Sequence, residues 1–254
     1  MLGSMNRTAP LPTVSEQPAQ VPGQATAQVA AGAVTRQAFA PYSPSVRLNR
    51  LAGSALILLL PLALLVALAP VNSFDSAELA FDVSLRDSLL TTFFLGLTDL
   101  FTPVNIVAMT LLAGLILAWR TRSLALPLQL VGAVAASSAA AQIIKQLVGR
   151  HRPDLTMQLV NETDLSFPSG HATGIVSLVT ALTLVAAALT AHRAGRTVRI
   201  LAWALGLLAA LVCFSRLYVG AHWTSDVIAG TLLGFGATVL FFTLTVRPLA
   251  RLAR

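Results

Sequence analysis

Six apolar stretches of membrane-spanning length decide what this chain can fold into. They cover residues 51–71, 103–119, 124–148, 171–191, 200–218 and 226–246. A bilayer core about 30 Å thick takes about 20 helical residues. Inside it every backbone N–H and C=O must be satisfied within the protein, so apolar runs of this length become helices. Composition agrees: 56% of the 254 residues are hydrophobic and 11% charged, where a soluble domain carries about 25% charged residues. The expectation is an all-α membrane protein with six transmembrane helices. Pro61 and Pro127 are expected to kink theirs. Gly170-x-x-x-Gly174 and Gly230-x-x-x-Gly234 would let helices approach closely.

Charge orients the bundle. Arg47 and Arg50, Arg120 and Arg122, then Arg193, Arg196 and Arg199, and finally Arg247, Arg251 and Arg254 gather at one set of helix ends, without acidic residues. Asp75, Glu78, Asp82, Asp87, Asp99, Asp154, Glu162, Asp164 and Asp226 occupy the opposite ends. Basic loops stay cytoplasmic, so both termini are expected inside the cell. The formal net charge of +7 follows from this topology, and no nucleic-acid partner is needed to explain it. Residues 1–46 are rich in Ala, Gln, Pro, Thr and Val, without apolar periodicity. They are expected to form a disordered cytoplasmic tail, with a possible cloning scar at 1–4, ahead of a membrane domain over 47–254. Cys213, the single cysteine, lies in an apolar run and cannot form an internal disulfide. Between the first two spans, Phe74, Phe81, Leu85, Leu89, Phe93, Leu97 and Phe101 recur mostly at four-residue steps, with acidic residues between them. This pattern predicts one or two amphipathic helices on the outer face.

Charged residues at the mouths of apolar helices are costly and call for a function. Three groups lie on the outer side. Lys145, the only lysine, precedes Arg152-Pro153. Pro168-Ser169-Gly170-His171 opens the fourth span, and Ser215-Arg216 leads to His222 and Asp226. Lys145 and Arg152 would share a face if their helix persisted through both. Ser169 can cap the next helix, and Gly170 admits a close ligand. The free N–H groups at that helix start favour an anion. Asp226 four residues after His222 can hold one ring nitrogen and leave the other as a nucleophile or base. Lys145, Arg152 and Arg216 together would grip a phosphate. By residue type alone, His171 and His222 are interchangeable in role. Two histidines and Asp226 could ligate zinc in principle. Three adjacent cations would repel it, so no metal and no cofactor is expected.

These residues resemble the three-part signature of the type 2 phosphatidic acid phosphatase superfamily. The stretch Ser215-Arg-Leu-Tyr-Val-Gly-Ala-His-Trp-Thr-Ser-Asp226 is especially similar. The resemblance spans about residues 50–246 and implies a role for each position. His222 attacks phosphorus and forms a phosphohistidine, while Asp226 orients it. His171 protonates the leaving group and then activates water. Lys145, Arg152, Ser169, Gly170 and Arg216 bind phosphate oxygens. The implied protein is a metal-independent lipid phosphatase of a bacterial cytoplasmic membrane, with its site on the extracytoplasmic side. Its partners are the bilayer and a membrane lipid phosphate: undecaprenyl diphosphate, phosphatidylglycerophosphate or phosphatidic acid. A lipid phosphotransferase would use the same residues. Vanadate-dependent haloperoxidases share the motif chemistry but are soluble. A polyprenyl-phosphate binding or transport protein would need the cations but neither His171 nor the His222–Asp226 pair.

Overall fold

The computed structural model describes residues 41–190 and 195–252. Residues 1–40 of the expected tail, and also Arg193 and Arg254, lie outside the described residues. The chain forms α1 (Val46–Leu68), α2 (Ser73–Ser84), α3 (Ser88–Leu100), α4 (Pro103–Thr121), α5 (Ala125–Val148), α6 (Gly170–Leu189), α7 (Gly195–Tyr218) and α8 (Thr224–Leu252). A 3-10 turn at Leu155–Met157 interrupts the connection between α5 and α6. Six of these helices, α1 and α4 to α8, are long and apolar enough to cross a membrane.

Capping sets several helix ends. Ser45 accepts a hydrogen bond from the Leu48 N–H, so α1 begins at Val46, before its apolar run. Thr102 accepts from the Asn105 N–H ahead of Pro103, whose fixed φ suits a first helical turn. Pro61 lies inside α1. Pro127 is the third residue of α5. In that first turn its missing N–H costs nothing, so it helps start the helix instead of bending it.

Helix α8 is central, packing on α6, α1 and α5. Its crossing with α6 depends on glycine. A Cβ at Gly230 would stand 2.7 Å from the Ser169 carbonyl oxygen, and one at Gly234 would stand 2.5 Å from that of Thr173. The Gly230-x-x-x-Gly234 pattern therefore marks a real backbone contact, whereas Gly170 and Gly174 face the side chains of Pro103 and Ile106. Farther along the same helices, Ser177 Oγ lies 2.7 Å from Thr238 Oγ1 and donates to Ser137 Oγ at 3.2 Å, joining α5, α6 and α8. Gln129 of α5 bridges to the Phe242 carbonyl of α8 and to both backbone groups of Tyr42.

Helix α2 carries two of its acids inward. Asp75 is fully buried and Asp82 nearly so, whereas Phe74, Phe81, Leu89 and Phe93 are exposed. An amphipathic helix in water does the reverse. Here the polar face meets protein cations and the apolar face points away from the bundle. The α2–α3 corner is fastened to the end of α7. Arg86 donates to the Tyr218 carbonyl (3.0 Å) and to the Met157 carbonyl (2.8 Å), and the Asp87 N–H donates to the Tyr218 hydroxyl (3.1 Å). Gly220 adopts φ 71°, and a Cβ there would strike the Met157 carbonyl oxygen at 2.3 Å, so only glycine fits between these segments.

Candidate active site

The three motifs converge at one end of the bundle, where α5 and α7 finish and α6 and α8 begin. Helix α5 does not persist to Arg152. It stops at Val148, where Gly149 takes a left-handed conformation (φ 67°) and donates its N–H to the Lys145 carbonyl. Lys145 and Arg152 therefore meet by a turn of the chain and not by helical register. Lys145 Nζ lies 3.2 Å from Asp164 Oδ2, and Arg152 Nη2 lies 2.6 Å from Asp164 Oδ1. Lys145 also donates to the Leu165 carbonyl.

Ser169 caps α6, accepting from the Ala172 N–H, and its own N–H donates to the Asp226 carbonyl at 3.0 Å. This bond ties the start of α6 to the start of α8. Gly170 and His171 follow as the first two residues of α6. His171 is buried and lies within electrostatic reach of Arg216, Arg152 and Asp164. Among the described residues, the buried side-chain nitrogens without a hydrogen-bond partner are His171 Nε2 and Arg216 Nε. Buried polar atoms are rarely left so, and both of these belong to the predicted site.

His222 stands just outside α8, and Asp226 is in its first turn. Asp226 Oδ2 accepts from the Trp223 N–H at 3.0 Å and lies 3.3 Å from His222 Nδ1. The four-residue spacing thus works at a helix start, where Asp226 caps and orients together. The other ring nitrogen, Nε2, lies 3.0 Å from Arg152 Nη1. Burial, followed by the charges of Arg152, Arg216 and Lys145, holds the His222 imidazole well below the usual histidine range. A neutral ring with Nδ1–H on the carboxylate leaves an Nε2 lone pair beside a guanidinium.

Two loop carboxylates balance the three cations. Glu162 pairs with Arg152 (2.7 Å) and with Arg216, while Asp164 pairs with Arg152 and Lys145. Burial alone would raise the Asp164 pKa, but Arg152 and Lys145 hold it below the usual carboxylate range. Arg216 also donates to Thr98 of α3. All eight residues singled out in the sequence lie at this end of the bundle, and their contacts join the three motifs directly. Trp223 Nε1 donates to the His151 carbonyl (3.0 Å), and Arg152 donates to the Ala221 carbonyl (2.8 Å).

Sequence reasoning missed Arg150, Asp75, Glu162 and Thr98. Arg150 is almost wholly buried, with Nη1 2.6 Å from Asp226 Oδ1 and Nη2 2.6 Å from Asp75 Oδ2. Removing one member of a buried pair costs ~3–5 kcal/mol, so these contacts hold the site's frame. The sequence marked Asp75 only as one of several acids in an amphipathic stretch. Its partner 75 residues away could not be read from spacing.

Comparison with known proteins places the chain among membrane phosphatases by sequence and fold. Residues 126–248 match the PAP2 superfamily. Over 73 residues the chain is 47% identical to an undecaprenyl-diphosphatase of Sulfolobus acidocaldarius, covering 28% of this chain and 30% of that protein. Over 103 residues it is 37% identical to phosphatidylglycerophosphatase B of Bacillus subtilis, covering 40% and 47%. Over 95 residues it is 37% identical to a decaprenylphosphoryl-5-phosphoribose phosphatase of Mycolicibacterium smegmatis, covering 36% and 45%. The chain thus spans less than half the length of these curated relatives. The fold resembles the crystal structure of a transmembrane PAP2 type phosphatidylglycerolphosphate phosphatase from Bacillus subtilis. The TM-score is 0.66 at 24% identity, over 80% of this chain and 97% of that one.

Proposed function

We propose that the protein, whose residues 126–248 match the PAP2 superfamily, is a membrane lipid phosphatase working through a phosphohistidine. One observation carries this reading: the His222 ring is held between Asp226 at Nδ1 and Arg152 at Nε2. His222 Nε2 attacks phosphorus as Arg152, Arg216 and Lys145 take up the phosphoryl oxygens, with help from Ser169 and the Gly170 N–H. The P–O bond to the lipid oxygen, or to the leaving phosphate of a diphosphate, breaks. His171 gives that oxygen its proton. Water then attacks the phosphohistidine, His171 takes the water's proton, and the P–N bond breaks to free inorganic phosphate. Donors aimed at developing charge in such a site contribute ~3–4 kcal/mol each.

The substrate class follows from chemistry and position. The site lies at the ends of apolar helices, where a lipid head group rests. The names of the relatives span polyprenyl and glycerolipid phosphates, and undecaprenyl diphosphate, phosphatidylglycerophosphate and phosphatidic acid are the substrates to try. Arg47, Arg50, Arg120 and Arg122 lie at the end opposite the site. This supports cytoplasmic termini and an extracytoplasmic site in the inner membrane. Three cations supply the charge stabilisation a divalent ion would give, so turnover is expected without metal.

The test is phosphate release by purified protein in detergent, across those lipids, with EDTA present. Release of inorganic phosphate, with an acid-labile and base-stable phosphoenzyme trapped early, is the expected outcome. Lipid binding without release would favour a carrier, and activity lost in EDTA would refute the metal-free mechanism.

A further inference from the structure

We propose that Asp75 and Arg150 form a positioning relay that aims Asp226 at His222. The relay rests on the phosphohistidine reading and adds residues outside the phosphate-gripping set. Asp75 belongs to α2, Arg150 to the turn after α5, and Asp226 to the first turn of α8. Three separate elements thus meet at one guanidinium.

Each guanidinium nitrogen of Arg150 has an acceptor. Arg150 Nη2 donates to Asp75 Oδ2 (2.6 Å), and Nη1 donates to Asp226 Oδ1 (2.6 Å) and to Ser225 Oγ (2.7 Å). Nε donates to the Pro70 carbonyl (2.7 Å) just before α2. Asp75 in turn accepts from the Ser225 N–H (2.9 Å) at Oδ1 and from Ser225 Oγ (2.7 Å) at Oδ2. The Trp223 ring lies against the guanidinium at 5.3 Å.

The division of labour at Asp226 is the reason to read this as a relay. Arg150 takes Oδ1, and Oδ2 is left for the Trp223 N–H and His222 Nδ1. A carboxylate held at one oxygen by a fixed cation cannot rotate away from the imidazole. A second carboxylate on the same guanidinium fixes that cation. Among the hydrogen bonds and ion pairs of Arg150 and Asp75, none goes to Lys145, Arg152, Ser169 or Arg216. The two therefore act on the nucleophile's orientation and not on phosphate binding. A buried fork shared by two carboxylates suits arginine and not lysine, whose charge is a point.

The expectation is a kcat effect passed through Asp226. Asp75→Asn keeps the acceptor for the Ser225 N–H but can no longer pair with the guanidinium. It should lower kcat about 10²-fold, the scale of a small misplacement at the reacting centre, with KM changed less than about threefold. Asp226→Asn should do more. In the Asp226→Asn background, Asp75→Asn should cost almost nothing further, because the orientation it protects is already lost. Arg150→Lys should retain a tenth or less of wild-type kcat, again with KM held. Thermal melting in detergent sets the temperature at which each variant is folded. If Asp75→Asn does not fold, the same cycle is run with Arg150→Lys.

Additive losses in the cycle, a loss confined to KM, or an unchanged kcat would overturn the relay while wild-type phosphate release leaves the phosphatase reading standing. A wild-type protein that releases no phosphate and traps no phosphoenzyme would sink that reading, and the relay with it.

Discussion

Asp226 presents Oδ2 to His222 Nδ1 at 3.3 Å from the first turn of α8, while His222 itself stands outside that helix. The pair thus straddles a helix start, where a free backbone N–H also needs an acceptor. One carboxylate caps the helix and orients the ring. His222→Ala is therefore expected to abolish turnover and the trapped phosphoenzyme while the protein stays folded. Asp226→Asn should lower kcat by about 10³-fold through a misdirected imidazole. The His222 ring is held well below the usual histidine range by burial and the three cations. It therefore stays neutral below pH 6.5, and the acid limb of kcat/KM set by this group should lie well below that pH. A near-wild-type rate in either variant would refute the assignment.

The two loop carboxylates carry the same charge as a phosphate dianion. Glu162 and Asp164 pair with Arg152, Arg216 and Lys145, so a bound phosphate has to displace them. Each partly exposed pair contributes about 1 kcal/mol. The double variant Glu162→Gln/Asp164→Asn should bind inorganic phosphate or vanadate about tenfold more tightly. Inhibition constants measured at constant ionic strength give the answer, and weaker binding would mean these acids organise the cations instead of competing for them.

Asp82 carries a stability cost that depends on pH. Burial first, and then Glu78 against the opposing pull of Arg86, pushes its carboxyl up to about 6. In the unfolded chain it titrates near 3.9. Between those values the folded state holds more protons, so stability falls as pH rises through the window and stays reduced above it. Asp82→Asn should therefore stabilise the protein by about 1–3 kcal/mol at pH 7.5 and leave it unchanged near pH 4. Melting curves in detergent at both pH values test this, and equal shifts at the two would count against it.

Gly230 joins packing to the site. Its missing side chain leaves room for the Ser169 carbonyl and the Ala172 methyl at the start of α6. Gly230→Ala should cost about 1–3 kcal/mol through overpacking and should also lower kcat/KM, because the displaced segment carries Ser169, Gly170 and His171. A melting temperature and activity both unchanged would show that the crossing yields without strain.

Spans, order and most of the site residues were legible in the chain because each leaves a local mark. Apolar runs of bilayer length, a Pro-Ser-Gly-His helix start and a His-x-x-x-Asp spacing all reflect forces acting within a few residues. The apolar run up to Val148 marked where α5 ends, so the shared helical face open to Lys145 and Arg152 is not used, and the two cations converge through the loop after Gly149 instead. Pro127 fell in a first turn, where proline is harmless.

What only the tertiary structure decided is which buried charges meet. Asp75 and Arg150 are separated by 75 residues and contact across helices. Glu162 and Asp164 reach back over the cations from the loop before α6. In an apolar protein a buried charge is held by its partner's position in space, and no spacing along the chain encodes that position. Local periodicity thus determined the helices and the chemistry they carry, while the packing of α2, α5 and α8 determined how that chemistry is aimed.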